Sequence, residues 1–229
     1  MFNDKLKAFT LSYDDGVVQD IRFIELLDKY GLKCTFNLNS GLGYRENRID
    51  NDKLCEVYKN HEVAVHTITH PWLSKISDDE GQLMSQIEGD RLNLEKLFGY
   101  KIVGMAYPYG TGATNDKVID AVKKSGVQYS RGTMSTLSFE PQENLYCFEP
   151  TVHHGDWDNL FRLAKEFIEL KPDGPKIFYV WGHTYEFDFD NGYWDKMEEF
   201  LKLISGHDDI FYGTNTEVLL GYDNRKEKL

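Results

Sequence analysis

Positive charge is scarce in this 229-residue chain: 26 lysines and arginines face 38 aspartates and glutamates, a formal charge of −12. A surface of that sign repels polyanions, which argues against DNA, RNA or anionic lipid as partners. Cysteine is scarce too. Cys34, Cys55 and Cys147 are odd in number, widely spaced and without a Cys-x-x-Cys pair, which fits neither a disulfide framework nor a thiolate zinc site and leaves buried free thiols as the expectation. No apolar run approaches the roughly 18 residues of a membrane span, so no membrane partner is expected. The residues from Met1 to Lys7 lack the apolar core of a secretory signal. As written the chain reads as cytoplasmic; a secreted or periplasmic location would require a leader ahead of this numbering. Internal repeats and low-complexity tracts are absent. What is present is core-forming material, 41% hydrophobic and 14% aromatic, enough for a soluble globular domain spanning residues 1–229.

Apolar β-rich runs alternate with segments of helical period. Strands are expected at Ala8–Tyr13, Cys34–Leu38, Glu62–His66, Ile102–Ala106, Val127–Ser130, Lys176–Trp181 and Asp209–Tyr212. Helices are expected from Ile21 to Gly31, Asn51 to Lys59, Asp79 to Phe98, Asn115 to Lys124, around Leu160–Ile168, around Trp194–Ile204 and from Thr214 to Leu220. Right-handed crossovers then lay each helix on a mostly parallel sheet. About seven strands fit a distorted, incomplete (β/α)7 barrel better than an eightfold one, with a doubly wound open sheet as the alternative. Met134 to Asp156, with Pro141 and Pro150, reads as a loop or small hairpin, and Asn224–Leu229 as frayed.

In parallel β/α folds the chemistry lies at the C-terminal strand ends. Four ends carry polar residues there: Asp14-Asp15-Gly16, His66-Thr67-Ile68-Thr69-His70, Tyr107-Pro108-Tyr109-Gly110 and His183. Histidines four apart share one face if the segment turns helically, and a carboxylate from the aspartate pair completes a two-histidine, one-carboxylate set for a divalent ion with open positions. Successive side chains of a strand alternate faces, so the two aspartates have room for two roles: one ligates while the other takes a proton from bound water. Each element has a plainer reading. Asp-Asp-Gly alone is an ordinary turn, and two histidines four apart occur by chance; their joint placement at strand ends is what favours a metal site.

These four elements, with Ser12-Tyr13 before the first and Pro71-Trp72-Leu73 after the second, resemble in order and spacing the motifs of the polysaccharide deacetylases, the family 4 carbohydrate esterases with the NodB homology domain. The resemblance spans Ala8 to His183 and implies a distorted β/α barrel. It implies Asp14 as general base, Asp15, His66 and His70 as metal ligands, His183 as general acid and the Tyr109 backbone N–H as an oxyanion donor, with Pro108, Tyr109 and Trp157 in the substrate cleft. Zn²⁺ suits such a set, and Co²⁺ and Ni²⁺ fit the same donors. Two positions depart from the pattern. The family places an arginine where this chain has Ala106, and that arginine positions the base; its aspartate-tryptophan element has an approximate counterpart in Asp156-Trp157. His153 or His154 is a candidate replacement hydrogen-bond partner for the base.

The leading expectation is therefore a metal-dependent hydrolase that removes acetyl groups from an N- or O-acetylated carbohydrate, with ion-bound water as nucleophile. The alternatives are a hydrolase of a small amide or cyclic imide on the same fold, and a catalytically silent sugar-binding protein, which rests on the missing arginine alone. The run Glu186–Asp190 is expected to be a solvated face or a border of the cleft.

Overall fold

The computed structural model describes residues 2–43 and 45–229. In chain order the strands are β1 (Lys7–Asp14), β2 (Thr35–Leu38), β3 (Glu62–Val65), β4 (Gly104–Ala106), β5 (Tyr129–Arg131), β6 (Val152–His153), β7 (Lys176–Gly182) and β8 (Ile210–Tyr212). The helices are α1 (Gln19–Lys29), α2 (Leu54–Val57), α3 (Leu73–Ile76), α4 (Glu80–Phe98), α5 (Asp116–Lys124), α6 (Trp157–Glu169), α7 (Tyr193–Ile204) and α8 (Asn215–Leu219).

All strand pairings are parallel, and the path β5-β4-β3-β2-β1-β7-β6 forms one curled sheet, an incomplete barrel. β8 lies off the path. It pairs with Lys7–Phe9 of β1 while β2 pairs with Ser12–Asp14, so one edge of β1 serves two neighbours at different heights. At the open side a single bridge, Arg131 to Phe148, ties β5 to the segment that leads into β6.

Period-two alternation sorts the side chains. Phe9, Leu11 and Tyr13 of β1, Phe36 and Leu38 of β2 and Phe178 and Val180 of β7 join the apolar core beneath the helices. The intervening residues, Thr10, Ser12, Asp14, Thr35, Asn37, Glu62, Tyr129, Arg131 and Tyr179, are buried and mostly polar. On that inner track Glu62 accepts from Thr35 and Thr216 and from the Tyr129 hydroxyl, which fastens α8 to the sheet. Helices close the layer by their apolar stripes: Val118, Ala121 and Val122 of α5, capped by Asn115, and Leu160, Leu163, Ala164 and Phe167 of α6.

Several expectations are corrected. β6 is only two residues long, too short to show a period, and emerges from the segment expected to be a loop. The helix expected from Asn51 to Lys59 is the single turn of α2. Asn224–Lys228 is docked rather than frayed, because Asn224 is buried and donates to the Lys101 carbonyl while Lys101 N–H donates to Glu227. Of the three thiols, Cys34 is buried, Cys147 half-buried and Cys55 exposed. No helix among the described residues is long and apolar enough to cross a membrane.

Candidate active site

Strand ends bring Asp14, Asp15, His66, His70, Tyr109, Arg131 and His183 to one end of the sheet. Asp14 closes β1 and continues its inner track. Asp15 would face outward if the strand ran on, but it turns left-handed at φ 86°, and both carboxylates come to 4.0 Å from His66 Nε2. Gly16 continues the turn at φ 68°, where a Cβ would stand 2.9 Å from Leu38 Cδ2, so the tight exit from β1 favours glycine. Thr67, His70 and Tyr109 are also left-handed, at φ 68°, 57° and 62°. For non-glycine residues such conformations cost of order 1–3 kcal/mol each. Four of the eight left-handed non-glycine residues among the described residues stand around this cluster.

Buried Asp90 of α4 holds the His66–Thr67 turn, accepting from His66 N–H at 3.1 Å and Ser40 N–H at 2.8 Å. Asn39 Nδ2 donates to the carbonyls of His66 and Thr67 at 2.5 and 2.9 Å. Asp15, His66 and His70 each offer a ligand atom within 4.8 Å of the others. His66 tests whether an ion fits. Its Nδ1–H donates to the Ala106 carbonyl at 2.8 Å, which leaves Nε2 a bare lone pair, buried and without a partner. That is the tautomer a ligating imidazole adopts. Burial lowers the pKa of His66 and takes His70 to about 4, so both rings are neutral donors. Arg48 bonds Asp15 at 3.3 Å from behind.

A second histidine and carboxylate group, His153, His183 and Glu186, is as compact, but its protons are arranged otherwise. Gly155 N–H donates to His153 Nδ1 at 3.1 Å, so the neutral ring carries its proton on Nε2 and donates to Glu186 at 3.1 Å. That set is satisfied by its own hydrogen bonds, whereas the first leaves the His66 Nε2 lone pair free and could hold a cation.

Asp14 is buried among Asn37, Arg131, His66 and His183. Asn37 Nδ2 donates to it at 2.8 Å, and the Arg131 guanidinium, 0% exposed, bonds both of its carboxylate oxygens. Arg131 also donates to the Gly132 carbonyl at 2.7 Å and stacks on Trp181, 4.6 Å from the ring centroid. Burial alone would raise the Asp14 pKa, but Arg131, with His66 and His183, holds it at about 2. The arginine absent at Ala106 is thus supplied by the end of β5. The expectation that His153 or His154 would bond the base is corrected, because both donate to Glu186 instead. Asp156 is corrected as well: it caps α6, accepting from Asn159 N–H and Nδ2.

His183 follows β7, with Nε2 4.0 Å from Asp14 and Nδ1 3.1 Å from Glu186. Burial opposes its charge, but Glu186 and Asp14 outweigh burial and raise its pKa. Tyr109 is 54% exposed, 4.7 Å from His70 and stacked on Trp72 at 4.9 Å. Its N–H has no acceptor among the described residues. Pro108 is buried. Trp157 is not brought to this cluster: its ring packs on Tyr193 at 5.3 Å and meets only the outlying His154, at 5.8 Å. A cavity of about 300 Å³ borders Asp15 and Arg48, but it does not reach His70 or His183.

A family model described as polysaccharide deacetylase matches residues 3–130. Among solved structures, the chitin deacetylase of the fungal pathogen Colletotrichum lindemuthianum is 18% identical with a TM-score of 0.66, over 99% of this chain and 92% of that one. A family 4 carbohydrate esterase from Streptomyces lividans, in complex with acetate, is 15% identical with a TM-score of 0.59, over 91% and 93%. A family 4 pseudoenzyme mutant with restored activity is 19% identical with a TM-score of 0.59, over 94% and 68%. No curated protein matches the sequence.

Proposed function

This chain belongs to the polysaccharide deacetylase family, and from its site we propose that it is a metal-dependent hydrolase of acetyl groups on an N- or O-acetylated carbohydrate. The observation that carries the reading is the bare, buried His66 Nε2, flanked by Asp15 and His70 and by a second, ionised carboxylate. Asp15, His66 and His70 would hold the ion, with Zn²⁺ suited to the donors and Co²⁺ and Ni²⁺ compatible. When bound, such an ion polarises a carbonyl and lowers the pKa of water.

The residues around it divide the remaining work. Asp14, kept ionised by Arg131, accepts the proton of the attacking water. Tyr109 N–H, without an acceptor among the described residues, donates to the acetyl oxygen as negative charge develops there. His183 gives its Nε2 proton to the departing amine or alkoxide. The silent sugar-binding alternative rested on the missing arginine, and Arg131 on Asp14 removes that ground.

The test is acetate release from N-acetylglucosamine oligomers and acetylated xylan by chelator-stripped protein, before and after reloading with Zn²⁺ or Co²⁺. Metal-restored release is expected. No release from either polymer with any of these metals, but turnover of small amides, would move the assignment to the amide hydrolase.

A further inference from the structure

At the end of the sheet opposite the candidate active site, the turns that lead into β2 and β3 border a cavity of about 320 Å³. Lys33 lines it from the first turn, Lys59 and His61 from the second, and Arg225 from the C-terminal 3-10 turn Asn224–Lys226. Asp28 is the one acid of the lining among the described residues. Three cations against one carboxylate make this spot positive on a chain that carries −12 overall. The acids that meet these cations stand outside the lining. Glu217 lies 3.5 Å from Lys33 and 3.8 Å from Arg225, Asp223 accepts from Arg225 Nε at 2.8 Å and Nη2 at 3.1 Å, and Glu56 accepts from Lys59. Arg225 Nη1 donates to the Asn60 carbonyl at 2.8 Å. That fixes the guanidinium and leaves two of its five N–H donors unspent among the described residues. The side chains of Lys33 and Lys59 are 40% and 57% exposed, where ion pairs contribute little and yield to a ligand of higher charge.

His61 adds a donor with nothing to bond. Its side chain is 1% exposed, and the ring stands edge-on to Phe36 at 5.5 Å. Cys34 N–H donates to its Nδ1 at 3.3 Å, so the neutral ring carries its proton on Nε2. That Nε2 is buried without a partner among the described residues, and Asp28 Oδ1, at 3.8 Å, is beyond hydrogen-bond range. Burial, with Arg225 and Lys33 nearby, lowers the His61 pKa to about 4, so the ring stays a neutral donor. A buried N–H without an acceptor is costly, and this one belongs to a cavity lined by cations. We propose that the cavity binds the phosphoryl group of a small molecule, as free phosphate or as a phosphomonoester, with Lys33, Lys59 and Arg225 neutralising its charge and His61 Nε2–H donating to one oxygen. A tetrahedral dianion offers acceptors in several directions, which suits donors arriving from three separate turns better than a planar carboxylate does. The volume is that of a small-molecule site and leaves room for the ester's carbon part. Lys33 and His61 precede their strands, whereas Asp15, His66 and His70 follow theirs. Occupancy therefore braces the turns and the C-terminal segment and leaves acetate release alone.

The test titrates Zn²⁺-loaded protein, labelled with nitrogen-15 at histidine, with sodium phosphate and with glycerol 3-phosphate, against sodium chloride at matched ionic strength. The His61 Nε2–H signal, assigned by its loss in His61→Gln, should move saturably with at least one of the two phosphates, and Tm should rise with it. Chloride should leave both unmoved. Lys33→Ala/Lys59→Ala, at two exposed side chains, should weaken binding by about tenfold or more with acetate release unchanged, and His70→Ala should bind the probe as the wild type does. Response to glycerol 3-phosphate alone assigns the cavity to esters, and response to both shows that the phosphoryl group suffices. No saturable movement with either phosphate, an equal response to chloride, or undiminished affinity in the lysine variant overturns the proposal. Binding lost in His70→Ala but kept in the lysine variant places the anion at the Asp15, His66 and His70 cluster and overturns it as well.

Discussion

Arg131→Met removes the cation that holds the proposed base, and its consequences can be worked from burial. Arg131 is 0% and the Asp14 side chain 3% exposed, so the variant leaves a carboxylate in the interior with only Asn37 and two histidines nearby. Breaking one side of such a pair costs about 3–5 kcal/mol, and loss of the stacking on Trp181 adds roughly 1 kcal/mol. Asp14→Leu strands the guanidinium instead and should cost a similar amount. Since replacing both partners by apolar groups is often near neutral, Asp14→Leu/Arg131→Met should be no less stable than either single variant. Urea unfolding of metal-stripped protein measures all three. Arg131→Lys keeps the charge but not the fork, and should recover stability more than turnover. Additive costs in the double variant, or a single cost below about 1 kcal/mol, would refute the account of Arg131.

Asp14→Asn should retain bound metal and lose turnover by about 10² or more; metal analysis alongside acetate release checks it, and undiminished release would remove Asp14 as base. His183→Ala should likewise keep the metal while slowing N-acetyl substrates, and unchanged turnover of those substrates would count against an acid role. Asp20, buried between Tyr58 and Thr184, titrates at about 7 because burial raises it from 3.8. The folded protein therefore binds this proton more tightly than the unfolded chain, so the associated stability is full below about pH 4 and lost as pH rises through about 7. Asp20→Asn should be more stable than wild type near pH 8 and comparable near pH 4; a constant difference at both would refute the assignment.

The acidic pair, the two histidines, the Tyr109 turn and His183 were legible because each is a short local pattern at the end of a strand whose apolar run is itself visible. Their escorts were not. Arg131 lies one residue beyond the expected strand Val127–Ser130, and its partner Asp14 is 117 positions away in sequence, a contact that exists only because the sheet curls. Asn37 and Asp90 left a fainter signal, a polar residue within an apolar strand and an acid on the buried side of a helix. Glu186 read as part of a solvated acidic run, yet its side chain is 19% exposed and ringed by histidines, whereas Asp188 bonds Trp194 and Asp190 caps Gly192. Asp156-Trp157 matched a pattern by type, but the start of α6 claimed both residues for capping and packing.

The central claim is one divalent ion held by Asp15, His66 and His70. Its most direct test is acetate release from N-acetylglucosamine oligomers as chelator-stripped protein is titrated with Zn²⁺, wild type beside His70→Ala. Release should rise with added metal and saturate near one equivalent in the wild type, with the variant neither binding tightly nor turning over. Release by fully stripped protein, or wild-type rates in the His70→Ala variant, would contradict it.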